Sequence, residues 1–318
     1  MQLTKPRIAL LVTGWDPELW RGMLQEATTD YEVVVDPAPQ DPLVRYAVVW
    51  KQPAGSLARY PSLKAVFSLG AGVDHVFADD DPPDVPIVRV VADDLSDRMA
   101  EYVVWHCLDL LRQGPTYRAQ QAKGIWHEDR GQPSARDLSV GILGMGEIGS
   151  RCAERLLPFG FHLNAWSRTP KSAPGVKSYA GADQLKHFLR VSDIVVSLLP
   201  LTQETRGLIN ADFLAAMKQD GYFGGGMLIN AGRGGLQVES DILAALESGV
   251  LAHAVLDVFE TEPLPEQSPL WDHPKITITP HAAAMSSPKA LLPAMVKQMR
   301  AHDAGEPLRH VVNRNAGY

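Results

Sequence analysis

The chain has 318 residues, with 30 basic against 37 acidic side chains for a formal charge of −7, and 45% of it is apolar. This is the composition of a soluble globular protein long enough for two domains, and its mild acidity argues against a dedicated nucleic-acid binder, which would carry a basic stripe. No apolar run reaches the ~18 residues of a membrane span, and the opening MQLTKPRIALLV reads as a first strand rather than a cleavable leader. Cys107 and Cys152 are too few for a disulfide framework and lack metal-ligand spacing. Buried, reduced thiols and a cytoplasmic location are therefore expected.

In chain order, RIALLV (7–12) reads as a strand and residues 16–28 as an amphipathic helix. YEVVVD (31–36), AVVW (47–50) and LKAVFSL (63–69) are further strands, and 88–91 a fifth. Near-continuous β-branched runs joined by crossovers indicate a parallel sheet covered on both faces. A long helix is expected over 96–121, capped by Ser96 or Asp97, with Glu101 near its first turn. A second series opens at LSVGILG (138–144) and continues with HLNAWS (162–167), DIVVSLL (193–199), GMLINA (226–231), HAVLDVF (253–259) and ITITP (276–280). Helices are expected at 147–159, 204–219 and 238–248, which makes the series doubly wound. A last helix over 287–302 has no strand of its own and is expected to pack back on the first domain.

Gly144-Met145-Gly146-Glu147-Ile148-Gly149 is a G-x-G-x-x-G run between a strand and a helix, the context of a dinucleotide site. Gly144 allows the tight turn, Gly146 lets backbone approach a pyrophosphate, and Gly149 lets the helix sit close to the sheet. The phosphates then meet the helix N-terminus. The alternative is a plain strand–turn–helix with structural glycines. The next strand ends Trp166-Ser167-Arg168-Thr169, without the carboxylate that holds a ribose 2′-OH in NAD sites. Arg168 can pair with a 2′-phosphate, Ser167 can donate to it, and Lys171 adds charge, so NADP(H) is expected over NAD(H); a solvated surface arginine is the alternative reading.

Arg233 follows MLINA, Glu262 follows DVF, and His281 follows ITIT, so all three fall beyond the carboxyl ends of strands, where open α/β sheets bind ligands. Singly, each has a bland explanation as a surface charge, an acidic turn shared with Glu260, or a structural histidine. Jointly, a histidine with a carboxylate partner can deliver a proton, and an arginine can grip a carboxylate. Beside a hydride carrier, that set suits reduction of a carbonyl next to a carboxylate.

LGMGEIG, INAGRG, DVFETEP and TPH, with SLGAGVDH (68–75) and MAEYVVW (99–105), together resemble the D-isomer-specific 2-hydroxyacid dehydrogenase family. The WSRT ending, the short first domain and AVVWK resemble its glyoxylate- and hydroxypyruvate-reducing branch. The resemblance implies an α/β fold of two doubly wound parallel-sheet domains. A Rossmann NADP-binding domain (104–286) would be inserted into a discontinuous, flavodoxin-like substrate domain (1–103 and 287–318). It implies that His281 protonates the carbonyl oxygen, that Glu262 orients it and raises its pKa, and that Arg233 binds the substrate carboxylate and carbonyl. The amides of Ala71 and Gly72 would hold the same carboxylate, Asp257 would contact the nicotinamide carboxamide, Leu199 and Pro200 would line the adenosine side, and Ala231 and Gly232 would border the nicotinamide. The loop around Trp126 resembles the family's dimer arm, which implies a homodimer.

The chain departs from the family pattern in the long glycine-rich loop Gly221–Gly226, for which the sequence offers no account beyond a possible effect on the cofactor-groove rim, and in AAAMS after the histidine. Glu262 stands where formate dehydrogenases of this family carry glutamine, which argues against a formate enzyme. Trp50 and Trp126 are candidate pocket walls favouring small keto acids such as glyoxylate, with core or interface aromatics as the alternative. The rival readings are a reductase of bulkier 2-keto acids such as phenylpyruvate, a dinucleotide-sensing corepressor, and a phosphoglycerate dehydrogenase. The last is disfavoured because the chain is expected to stop soon after its final helix.

Overall fold

The computed structural model describes residues 5–77, 82–89, 91, 93–285 and 287–314. In chain order these form β1 (Arg7–Val12), α1 (Pro17–Ala27), β2 (Glu32–Val35), β3 (Val44–Trp50), β4 (Ala65–Ser68), α2 (Asp74–Phe77) and β5 (Ile87–Val88). Then come α3 (Asp93–Leu111), α4 (Gly114–Ala122), β6 (Ser139–Leu143), α5 (Glu147–Leu156), β7 (His162–Ser167), β8 (Val176–Ala180), α6 (Gly181–Arg190) and β9 (Ile194–Ser197). The chain continues through α7 (Ala211–Ala215), β10 (Gly226–Asn230), α8 (Glu239–Ser248), β11 (Leu251–Leu256), β12 (Ile276–Ile278) and α9 (Pro288–Asp303). Two compact units result: residues 1–94 with 286–318, and residues 95–285. Among the described residues, no helix is long and apolar enough to cross a membrane.

The first unit holds a five-stranded parallel sheet in the order β2-β1-β3-β4-β5, the flavodoxin-like arrangement. Its strands are buried on both faces, as the apolar runs of β1, β3 and β4 require. The last helix, α9, belongs to this unit and packs along α1. A polar clamp fastens its C-terminal end. Asp303 accepts from Tyr31 Oη at 2.7 Å, Tyr46 Oη at 3.0 Å and Lys64 Nζ at 2.6 Å. Tyr46 itself is fully buried on β3.

The second unit holds a seven-stranded parallel sheet in the order β12-β11-β10-β9-β6-β7-β8. Counted from β6, this is the doubly wound 3-2-1-4-5-6 order extended by one strand. Every residue of β6, β9 and β10 is buried. Cys107 on α3 and Cys152 on α5 are buried thiols, and burial pushes Cys152 up to about 12.

Several expectations need correction. The long helix starts at Asp93, so Ser96 and Asp97 lie inside it and Asp93 and Asp94 supply the first-turn acids in place of Glu101. It also breaks before 121: Gln113 is left-handed at φ 53°, and α4 restarts with a proline in its first turn. Of the helix expected at 204–219 only α7 is helical, because Gly207 turns left-handed and Ile209 bridges to Gln237 as a strand would. β8 and α6 were not anticipated; β8 is an edge strand with one buried residue, Tyr179, so it shows no apolar run. The fifth strand covers Ile87–Val88, and Val90, within the span expected for it, lies outside the described residues.

The clamp on Asp303 makes a pH prediction. Burial pushes its carboxyl up, but the hydrogen bonds from Lys64, Tyr31 and Tyr46 outweigh this and hold it below the ordinary carboxylate range. The resulting stability is present above the unfolded-state pKa and is lost as pH falls through the lower folded value. Tyr46→Phe should cost about 1–3 kcal/mol, read by urea denaturation at neutral pH, and should shrink the acid-dependent part of the loss.

Candidate functional site

The dinucleotide loop of the second unit is built as the glycine spacing demands. Gly144, the residue after β6, stands at φ 105°, a conformation side chains avoid. A Cβ on Gly149 would stand 1.9 Å from the Gly144 carbonyl oxygen, so α5 lies on the turn as closely as backbone allows. A Cβ on Gly146, by contrast, would meet nothing within 4 Å. Open space in front of Gly146, at the N-terminus of a ten-residue helix, is the cradle a pyrophosphate needs. Glu147 is exposed and Ile148 half-buried in the first turn, whereas the Met145 side chain is buried in the core, leaving only its backbone for a ligand.

Register places the other strand ends beside this loop. Leu143 pairs with Trp166 and Ser197, Ser197 with Asn230, Asn230 with Leu256, and Leu256 with Ile278. The residues that follow form one row along the carboxyl edge. Ser167 is buried and donates to the Thr169 carbonyl at 2.7 Å, while Arg168 beside it is exposed. Leu199 is buried against the Gly144 turn, with its Cδ2 3.4 Å from where a Gly144 Cβ would be. Pro200 is half-buried, and its carbonyl accepts from Thr205 Oγ1 at 2.7 Å. Ala231 and Gly232 are buried after β10, with Gly232 N–H donating to Asn230 Oδ1 at 3.1 Å.

Arg233, Glu262 and His281 all belong to this unit. The decisive contact is His281 Nδ1 to Glu262 Oε2 at 2.8 Å, with both side chains only partly exposed. Glu262 Oε1 also accepts from Phe259 N–H at 3.2 Å, which fixes the carboxylate to the chain leaving β11. Glu260 is engaged elsewhere, since it and Glu239 exchange backbone-to-carboxylate bonds of 2.7 and 2.8 Å at the start of α8. Arg233 is half-buried, with Nη1 donating to the Gly232 carbonyl at 2.8 Å. Asp257 is 2% exposed, and its carboxylate accepts from Thr279 Oγ1 and from the N–H groups of Ala282 and Ala283. Its contacts thus run to the turn that carries His281. Among the described residues, no group of three or more metal-ligating side chains gathers.

In the first unit, Ala71 and Gly72 sit in the loop after β4, and no intramolecular partner is found for either N–H among the described residues. The loop is pinned from within. Ser68 Oγ accepts from Gly70 N–H at 3.1 Å and lies 3.2 Å from His75 Nε2, while His75 Nδ1 lies 2.9 Å from Gln52 Oε1. The Trp50 ring lies against Gly70, where a Cβ would be 2.3 Å from it, and stacks on Trp15, which stacks on Trp20. Sequence reasoning named Trp50, Ala71 and Gly72 but missed Ser68, His75, Gln52, Trp15 and Trp20. The SLGAGVDH block contained two of them without signalling what they hold.

The glycine-rich loop 221–226 precedes β10 and so lies at the amino ends of the strands, away from the edge that carries Gly144. It therefore cannot form part of the cofactor-groove rim. Tyr222 in it reaches Asp129 Oδ2 at 2.5 Å, bracing the segment after α4. Trp126 in that segment is 97% exposed, which rules out a core role within the chain.

Residues 104–283 match the family model described as D-isomer specific 2-hydroxyacid dehydrogenase, NAD binding domain. The chain belongs to this dehydrogenase family. It is 39% identical, over 96% of its length and 97% of the relative's, to a protein of Escherichia fergusonii named glyoxylate/hydroxypyruvate reductase A. Among solved structures it resembles the NADPH-dependent glyoxylate/hydroxypyruvate reductase of Sinorhizobium meliloti in complex with NADP and sulfate. That likeness has a TM-score of 0.92 at 45% identity and covers 99% of this chain and 100% of the other. A probable 2-hydroxyacid dehydrogenase from Rhizobium etli, solved with NADP, HEPES and tartaric acid, gives 0.92 at 39% identity over 99% and 100%.

The loop glycines separate stability from binding in this dehydrogenase. Gly149→Ala should destabilise the fold by about 1–3 kcal/mol, because its Cβ has no room. Gly146→Ala should melt at the parent temperature yet bind dinucleotide more weakly. Thermal melts alongside fluorescence titration of a reduced dinucleotide check both.

Proposed function

We propose that the protein is an NADPH-dependent reductase of small 2-keto acids, glyoxylate and hydroxypyruvate above all, acting as a homodimer in the cytoplasm. The observation that carries this reading is the 2.8 Å pair of His281 Nδ1 and Glu262 in a unit whose strand ends also carry the dinucleotide cradle. Relatives named glyoxylate/hydroxypyruvate reductase A at 37–39% identity support the substrate class, and NADP in the related structures supports the cofactor.

When bound, a reduced nicotinamide would supply the hydride that the carbonyl carbon accepts. The protein's own contribution is positioning and proton transfer. With Nδ1 turned to Glu262, His281 has Nε2 to offer, and from there it protonates the carbonyl oxygen as that oxygen gains charge. Glu262 holds the ring by its Nδ1. Arg233 binds the substrate carboxylate. The N–H groups of Ala71 and Gly72, for which no intramolecular partner is found among the described residues, are assigned to carboxylate binding, and Trp50 against Gly70 limits the size of what reaches them. Arg168 pairs with the 2′-phosphate at the end of β7, and Leu199, Pro200, Ala231 and Gly232 line the dinucleotide. Trp105, Ile125 and Trp126 are 55%, 51% and 97% exposed, and large apolar side chains left this open support burial against a second copy.

Two outcomes are expected. His281→Ala should lose about 10²–10⁴-fold in glyoxylate-dependent NADPH oxidation with NADPH binding retained; undiminished turnover would remove the proposed role. Arg168→Ala should raise KM for NADPH far more than for NADH, and an unchanged ratio would overturn the cofactor assignment. A panel of 2-keto acids, with phenylpyruvate as the bulky member, tests the substrate class in the same assay.

A further inference from the structure

His281 stands in the left-handed region at φ 53°. A non-glycine residue there is held at a cost of about 1–2 kcal/mol and persists only where its surroundings over-determine it. The surroundings here are largely one residue. The Asp257 carbonyl accepts the His281 N–H at 2.8 Å. The Asp257 carboxylate then takes bonds from both sides of residue 281: Thr279 Oγ1 at 2.6 Å before it, and Ala282 N–H at 2.8 Å and Ala283 N–H at 3.1 Å after it. Thr279 is held in turn, because its Oγ1 lies 2.8 Å from the hydroxyl of Tyr102 on α3. Tyr102 is 7% exposed, and burial raises its pKa, so the phenol remains a donor. With the Thr279 proton directed at Asp257, Tyr102 donates to Thr279, and the chain runs Tyr102 to Thr279 to carboxylate.

We propose that Asp257, backed by Thr279 and Tyr102, is a positioning residue that locks the His281 backbone so that its imidazole meets Glu262 and presents Nε2 to the substrate. The proposal rests on the reading of His281 as proton donor and gives Asp257 a role other than cofactor contact. Glu262 fixes the ring by one bond, and that bond forms only if the Cα–Cβ direction at 281 is already set. A neutral amide at 257 replaces the carboxylate poorly: with its oxygen in the place of Oδ1, which takes the bonds from Thr279, Ala282 and Ala283, those bonds lose their charge assistance, and its NH2 group would face the Ala283 N–H that also bonds Oδ2. The left-handed turn would then relax toward ordinary φ and carry the imidazole off Glu262.

The test uses the full-length protein with glyoxylate and NADPH. Asp257→Asn and Thr279→Val should lower kcat by about tenfold or more, a part of the ~10²–10⁴ that a placed general acid contributes. The Kd for NADPH, read by fluorescence titration, should stay unchanged. Thr279→Ser, which keeps the hydroxyl, should recover most of the loss, and Tyr102→Phe should show a smaller fall in kcat, again with Kd unchanged. In a His281→Gln background Thr279→Val should add little, since what it positions is gone. Should Asp257→Asn fail to fold, the Thr279 and Tyr102 variants carry the test. A raised Kd for NADPH with kcat kept would assign Asp257 to the cofactor and overturn the proposal. A Thr279→Val loss that persists undiminished in the His281→Gln background would overturn it as well, marking a merely structural role. If His281→Gln alone matches the parent, the proton-donor reading fails too; the other two results leave that reading standing.

Discussion

Parallel pairing is the constraint from which the site follows. In the second unit every strand runs the same way, so every strand delivers its carboxyl end to one edge. Register then aligns the exits: the residues after Leu143, Ser197, Asn230, Leu256 and Ile278 stand in adjacent positions across five neighbouring strands. At about 4.8 Å per strand, this row spans roughly 19 Å, the scale of an extended dinucleotide with a small molecule at its end. Gly144, Ala231, Asp257 and Thr279 belong to this row, and Arg233 and His281 lie two residues beyond it. Residues separated by well over a hundred positions in sequence thereby come to stand along one edge of the sheet.

Much of this was legible because buried parallel strands announce themselves. SVGIL, IVVS and GMLIN are short apolar runs with no polar alternation, and each is wholly buried. Once those strands are read, the residues after them fall on the ligand side by topology alone. The elements that escaped notice are those whose burial is partial. VKSYA buries only Tyr179, and the helix after it buries only Phe188 and Leu189. The overlong helices failed for a different reason. Apolar spacing continues through Gln113 and Gly207, but the backbone there is left-handed, and periodicity carries no information about φ.

At the site, the groups with distinctive chemistry were legible and their supports were not. Arg233, Glu262 and His281 stand out by type and place. Thr279, Tyr102, Ser68 and Gln52 do not, because a hydroxyl or amide becomes structural only through a partner, and here the partners lie up to 177 positions away. Ser68 shows the point in the first unit. Fully buried at the end of β4, it satisfies the inside of the 68–72 loop, taking the Gly70 N–H and lying within hydrogen-bond distance of the Gly70 and Gly72 carbonyls.

Two carboxylates hold His281, and they do so in different ways. Glu262 bonds the ring, and the Asp257 carboxylate bonds the Thr279 hydroxyl before it and the Ala282 N–H after it. One alone would not suffice. An imidazole tied only at Nδ1 could follow a shifting main chain, and a main chain fixed by Asp257 alone would leave the ring free to turn about χ2. Fixing both removes the remaining torsional freedom before substrate arrives, so that ordering cost falls on folding rather than on turnover. The positive φ at His281 is then intelligible as strain met by the buried Asp257 network, which the fold can support because Asp257 is itself the first residue beyond an interior strand whose last three residues are paired on both sides.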